Sequence, residues 1–262
     1  MIVSIADKPE DGDEVQRRVT GASVEDLRRS LEALSGEEGP LLRAIRRPLT
    51  IERLGQHPLG NLAIASAASA FDDYGRASVW LGEQLGIEGA VLPATTEPVR
   101  WQTDPSSRVR FTGDRIDSPS AAVEAIEQSQ WALLAPGSLY RSVIATAAVP
   151  DLAAALRATP ARVVWIANLA HDSDRRANRT AIDHLRALSR NGIRVDSVLY
   201  DPSAALRFDA AELARHGMEA IPRALGSGRD PRLHDPKRLR SALGELTAGG
   251  PEPRGRHRAA PA

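Results

Sequence analysis

The residues with the clearest chemical promise lie in one turn. Trp131 to Ala135 (WALLA) is an apolar run that stops at Pro136 and Gly137, and Ser138 then opens an Ala-rich segment of helical character. A run without polar alternation reads as a strand buried on both faces. Strand, tight turn and helix in that order leave the first helical amides unpaired and aimed at one spot, where the helix dipole also favours an anion. A phosphate fits there. The same spacing also suits a plain helix cap at Ser138, so a binding role for Gly137, Ser138, Leu139 and Tyr140 depends on what the rest of the chain brings beside them.

Other groups carry less. His171 with Asp172 and Asp174, and Asp183 with His184, have the residue types of a divalent-metal site, but their spacing matches no strong metal motif and Asp183 is explained by a helix cap. No metal ligands are assigned. His57 and Asn61 flank Pro58, Leu59 and Gly60 at a helix start, where either can close a loop hydrogen bond. Ser138 has no G-x-S-x-G surroundings, and neither G-x-G-x-x-G nor a Walker lysine loop occurs, so no catalytic residue is named. The chain has no cysteine, which excludes disulfides, thiolate metal sites and cysteine nucleophiles and fits a reducing compartment.

The elements that must position these residues alternate. Strands are expected at 2–6, 90–92, 131–135, 162–168 and 195–200, and helices near 23–34, 40–46, 62–71, 79–85, 118–128, 180–190 and 236–246. Between them, 99–116 alternates apolar and polar residues on both sides of a Pro-Ser-Ser turn, as an antiparallel hairpin does. The expected class is α/β: a doubly wound, Rossmann-like, mostly parallel sheet with a small antiparallel hairpin excursion. Ligands of such sheets sit beyond the carboxyl ends of the strands. Four such ends carry small or polar residues: Asp7, Pro93 to Thr96, Pro136 to Tyr140, and Asn168 to Asp174. Together they could ring one crevice for a polar small molecule.

Lys plus Arg and Asp plus Glu balance at 34 each, so no overall field draws the chain to nucleic acid or an anionic membrane. Only Lys8 and Lys237 are lysines, and the Arg and Ala excess reads as the bias of a GC-rich genome. No segment reaches membrane-spanning length, and the acidic start lacks the basic region of a secretory signal. The expected location is the cytoplasm. One domain is expected over 1–247, followed by a Pro-, Gly- and Arg-containing tail, 248–262, that reads as disordered.

Five strings occur in an order that resembles the CofD-like superfamily, and within it the gluconeogenesis-factor, or YvcK-like, group. They are HPLGN (57–61), VLPATTEPV (91–99), APGSLYRSVI (135–144), VVWIANL (163–169) and TAIDHLRAL (180–188). The resemblance implies a Rossmann-type fold and a non-catalytic regulator that binds a UDP-sugar such as UDP-N-acetylglucosamine, acting in carbon metabolism, wall-precursor supply and cell shape. It implies Gly137, Ser138, Leu139, Tyr140 and Asn168 at the nucleotide, with Asp7, His57, Asn61, Thr95 and Asp183 at the pocket rim. The partner is then the sugar nucleotide, with a homo-oligomer or a protein partner also open, and no cofactor is needed. The related CofD branch implies a transferase that attaches a phospholactyl group to a deazaflavin with a divalent metal, Mg. A ligand-free interaction protein is the third reading.

The chain departs from the group's pattern in several places. The strand and Gly-rich GGGTG loop that normally come first are absent, which reads as an N-terminal truncation or divergence. The loop resembling ADDGGSSG is here ADKPEDG (6–12), with Lys8 in place of a second Asp. PPGDIR becomes ASVEDLR (22–28), and the GETDGFT-like stretch becomes DRRANRT (174–180).

Overall fold

The computed structural model describes residues 1–7, 22–36, 38–51, 55–171 and 180–250. They form two compact units, one of Met1–Glu124 with Tyr140–Ala154 and one of Ala125–Leu139 with Ala155–Ala262. Each unit has its own core.

In the first unit β1 (Ile2–Val3) leads to α1 (Glu25–Leu34) and α2 (Pro40–Arg46). A hairpin of β2 (Pro48–Ile51) and β3 (Gly55–Pro58) precedes α3 (Leu59–Phe71) and α4 (Tyr74–Gln84). β4 (Leu92–Pro93) runs parallel to β1 with Ile2 opposite Leu92, and β5 (Arg100–Thr103) with β6 (Val109–Thr112) makes the hairpin expected over 99–116. Leu27 and Leu31 of α1, Ile45 of α2, Ile64 of α3 and Leu81 of α4 share one apolar core. The small residues of α3 permit this packing. A Cβ on Gly60 would lie 2.5 Å from Ile45 Cγ2 and 2.8 Å from Arg28 Cδ, so the helices approach this closely only over a glycine.

Three local expectations change here. The β2–β3 hairpin was not expected; its strands are four residues long and carry proline at the paired positions Pro48 and Pro58, so no alternation announces them. Helix α3 begins at Leu59 rather than at residue 62. Helix α1 begins at Glu25 rather than at residue 23, with Val24 at its cap position and no side-chain bond there, while the Ser23 amide donates to the Ile5 carbonyl at 3.1 Å. Tertiary pairing takes that amide instead.

Helix α5 (Ser120–Glu127) leads the chain into the second unit, whose sheet starts with β7 (Trp131–Leu134). After α6 (Pro150–Ala158) come β8 (Arg162–Ile166), α7 (Ala181–Arg190), β9 (Ser197–Tyr200), α8 (Ala210–Arg215), β10 (Glu219–Pro222) and α9 (Pro236–Ala248). The four strands are parallel in the order β10-β9-β8-β7. β8 and β9 are buried almost throughout, as strands inside a parallel sheet are, and Ser197 of β9 is buried with its apolar neighbours. β7 lies at one edge of this sheet and Leu133 is 40% exposed, so the expectation of full burial for 131–135 fails there.

The helix expected to follow Ser138 is not continuous. A π-helical segment, Leu139–Ile144, passes into a single α turn, Ala145–Ala147, and α6 begins afresh at Pro150. Proline has no N–H to give to a preceding turn but is well tolerated in a helix's first position, so it divides the segment.

Candidate ligand site at the carboxyl ends of the parallel strands

In the second unit each strand ends in a loop with a distinct task. β7 runs into Ala135–Ser138, β8 into Ala167 and Asn168, β9 into Asp201, and β10 into Leu225–Gly228. Parallel pairing sets these loops side by side, and two side chains then tie them in pairs.

Asn168 is the first tie. Its Oδ1 accepts from the Gly137 amide at 3.0 Å and its Nδ2 donates to the Gly137 carbonyl at 2.8 Å. One side-chain amide thus satisfies both polar edges of the turn glycine and copies what a neighbouring strand would do.

Asp201 is the second. One carboxylate oxygen accepts from the Ser203 amide at 2.8 Å and the Ser203 hydroxyl at 2.6 Å; the other accepts from the Leu225 and Gly226 amides at 2.6 and 2.8 Å. Burial by itself raises this carboxyl's pKa. The bonds from the Ser203 hydroxyl and the Gly226, Ser203 and Leu225 amides outweigh it, and the group is held at about 2. His234 stands nearby: burial lowers its pKa, while a bond to the Ala167 backbone and the charge of Asp201 act the other way. Its Nε2 is buried without a hydrogen-bond partner among the described residues.

Beside these ties the ends of β8, β9 and β10 enclose a cavity of about 280 Å³ with Leu169, Asp201, Ser203, Gly228, Arg232 and Arg238 among its walls. Sequence reasoning missed this region. α8 and β10 were overlooked although Asp209, whose carboxylate accepts from the Ala211 amide, and Gly217, at φ +72°, mark the two ends of α8. That capping pair was the available signal.

The expected residues fall on both units. Gly137 and Asn168 are brought into direct contact in the second. Ser138 and Leu139 follow in the same unit, and Leu139 is 1% exposed, so its side chain belongs to the core. Asp183 is 3.2 Å from the Thr180 amide and 2.9 Å from its hydroxyl, a reciprocal capping box at the start of α7. His184 is fully buried beside Trp165, ring centres 5.9 Å apart.

Tyr140 belongs to the first unit, is buried, and has no hydrogen-bond partner for its hydroxyl among the described residues. Asp7 makes an isolated parallel bridge to Arg100 of β5: its amide donates to the Val99 carbonyl and its carbonyl accepts from the Trp101 amide, each at 2.9 Å. His57 sits in β3 opposite Leu49. Asn61 is buried and accepts from Arg28 Nε at 3.0 Å, in a network that Glu32 completes. Thr95 is buried and donates to the Glu97 carbonyl at 2.8 Å. Asn61 thus ties α3 to α1, and Thr95 holds its own loop. Among the described residues no group of three or more His, Asp or Glu could hold a metal ion. Lys8, Asp11, Asp172, Asp174 and the stretch 251–262 of the expected tail lie outside the described residues.

The sequence profile of the family described as "2-phospho-L-lactate transferase CofD" matches residues 99–225, from the start of the β5–β6 hairpin to the residue whose amide binds Asp201. The gluconeogenesis factor of Bacillus subtilis is 25% identical over 284 residues, covering 94% of this chain and 89% of that one. The chain is thus similar to the CofD family in its central part and to the gluconeogenesis factors over nearly its whole length. A further relative from Deinococcus radiodurans, also named for gluconeogenesis, is 28% identical over 95% of this chain, which spans 61% of that relative's length. The crystal structure of a UPF0052-family protein from Bacillus halodurans shares the CofD-like fold with a TM-score of 0.81, at 24% identity over 94% of this chain and 90% of that one.

Proposed function

We propose that this CofD-like protein is a UDP-sugar-binding regulatory protein, with UDP-N-acetylglucosamine as its type ligand, that acts in carbon metabolism, wall-precursor supply and cell shape. The observation that carries the reading is the Gly137 turn. It stands at the carboxyl end of a parallel strand, where open α/β sheets bind their ligands, and Asn168 fixes its peptide groups before any ligand arrives. A turn already held in place costs little ordering on binding. The relatives' name supports a role in carbon metabolism.

Such a ligand is made and used in the cytoplasm, and that is the location proposed. Among the described residues no single helix is long and apolar enough to cross a membrane. Calorimetry with UDP-N-acetylglucosamine tests the reading, with a saturable heat expected. Absence of heat together with an unchanged melting temperature at millimolar ligand overturns it.

The family profile favours a second reading, a phospholactyl transferase acting on a deazaflavin. The divalent metal that this reading implies finds no cluster of carboxylates or histidines among the described residues. No step through a metal is therefore derived. Product formation from a phospholactyl donor and a deazaflavin acceptor would establish that activity and displace the regulator.

A further inference from the structure

The cavity at the ends of β8, β9 and β10 is made wholly of second-unit residues, and of these only Leu169 and Ala170 fall in a loop that the sequence placed near a ligand. Its charged groups decide what it can hold. Asp201 is no cation ligand, since each of its oxygens already takes two hydrogen bonds from the protein. The guanidinium groups are different. Arg238 spends one of its five N–H donors, from Nη1 to the Gly226 carbonyl at 3.0 Å, and that bond braces it at the wall. Arg232 is gripped by Asp230, with Nε at 3.1 Å and Nη2 at 2.9 Å, which leaves Nη1 to donate elsewhere. Two braced forks with spare donors select an oxyanion, and arginine suits phosphate through paired, charge-assisted bonds.

The remaining walls set the rest of the ligand. Leu169 supplies an apolar surface, while Ser203 and the open backbone at Gly228, where an added Cβ would meet nothing within 4 Å, suit hydroxyl groups. At about 280 Å³ the space lies at the lower end of the roughly 300–1,000 Å³ typical of small-molecule sites. That is room for a sugar phosphate. We propose that this cavity is a second binding site, for a small phosphate ester, whose phosphate is held by Arg232 and Arg238. It does not rest on the UDP-sugar reading, because its residues and its ligand class are separate.

The test is calorimetry on the full chain with glucose 6-phosphate, inorganic phosphate and glucose in phosphate-free buffer. Glucose 6-phosphate is expected to bind saturably, inorganic phosphate more weakly, and glucose not at all. Replacing both side chains, Arg232→Met with Arg238→Met, lowers glucose 6-phosphate affinity by about tenfold or more. Because both residues are exposed, the melting temperature stays close to the wild-type value. Should the double variant fail to fold, Arg238→Lys serves in its place: it keeps the charge, loses the fork, and is expected to give a smaller loss. Three results overturn the proposal: no glucose 6-phosphate heat at about 10 mM ligand, affinity unchanged in the folded arginine variants, or binding as strong for glucose as for its phosphate.

Discussion

The two ends of the second unit's parallel sheet are both stitched across neighbouring strands, but with different thread. At the amino end side-chain pairs span three strands: Arg162 of β8 ion-pairs with Glu219 of β10, and Ser197 of β9 lies between them at 2.9 Å from Arg162 Nε and 3.2 Å from Glu219 Oε2, while Asp196 also accepts from the Val163 amide at 2.8 Å and Arg194 donates to the Ala161 carbonyl at 2.7 Å. Arg194 and Asp196 add a second pair at 3.3 Å. At the carboxyl end Asn168 and Asp201 reach for the backbone of the next loop, at Gly137 and at Leu225–Gly226. A bond between two flexible, partly exposed side chains adds little and tolerates movement. A side chain bonded to peptide groups fixes where a loop stands, and Asn168 and Asp201 make such ties where a ligand would need fixed partners.

The strongest way to break this contrast is Asp201→Asn. The side chain keeps its shape, but its amide must now point an N–H toward either the Ser203 amide or the Leu225 and Gly226 amides, which are donors themselves. Buried donors left without an acceptor cost roughly 2–4 kcal/mol of stability, to be read from urea unfolding. The pH dependence has a definite sign. The folded carboxyl is held at about 2, below its ordinary value of 3.8, so its contribution is complete above that value and is lost as pH falls toward 2. The loss is about 2 kcal/mol by linkage. Wild-type stability should therefore fall more steeply than that of Asp201→Asn between pH 5 and pH 2, and parallel curves would refute the assignment.

Much of this arrangement was legible beforehand because it rests on local chemistry. β8 was found from its apolar run, α7 from Thr180 and Asp183, and the β5–β6 hairpin from its alternation around a turn. Gly137 and Asn168 were both named, yet their mutual bonds were not, because residues 31 positions apart meet only through the β7–β8 pairing. Asp201 escaped for a related reason. Its distant partners, the Leu225 and Gly226 amides, arrive from beyond β10, a strand whose four residues, Glu219 to Pro222, carry only two central apolar side chains. The division at Pro150 and the π-helical backbone after Ser138 were hidden as well, since an Ala-rich sequence reads as helix whichever hydrogen-bond register it adopts.

Asn168→Ala sharpens the comparison at the β7–β8 side. It removes two hydrogen bonds at a half-buried site, for an expected loss of about 1–2 kcal/mol. The more telling readout is local: the Gly137 amide should be protected from hydrogen exchange in the wild type and exposed to it in the variant. UDP-N-acetylglucosamine affinity should drop along with that protection if the turn is the ligand's wall. Protection retained without Asn168 would mean that the turn holds itself.

The smallest effect belongs to the opposite end. Glu219 is half exposed, so Glu219→Gln removes a charge that water and salt already screen while leaving an acceptor for Ser197. The expected cost is below about 1 kcal/mol. Since what is lost is charge–charge attraction rather than a placed backbone bond, the difference from wild type should shrink further in about 1 M salt, where screening acts within ~3 Å. Asp201→Asn should keep its full cost there, because buried amide donors are not relieved by ions in solution. If the two variants instead responded alike to salt, the two ends of the sheet would be held by the same kind of interaction and the carboxyl end would have no special claim to fixed loops.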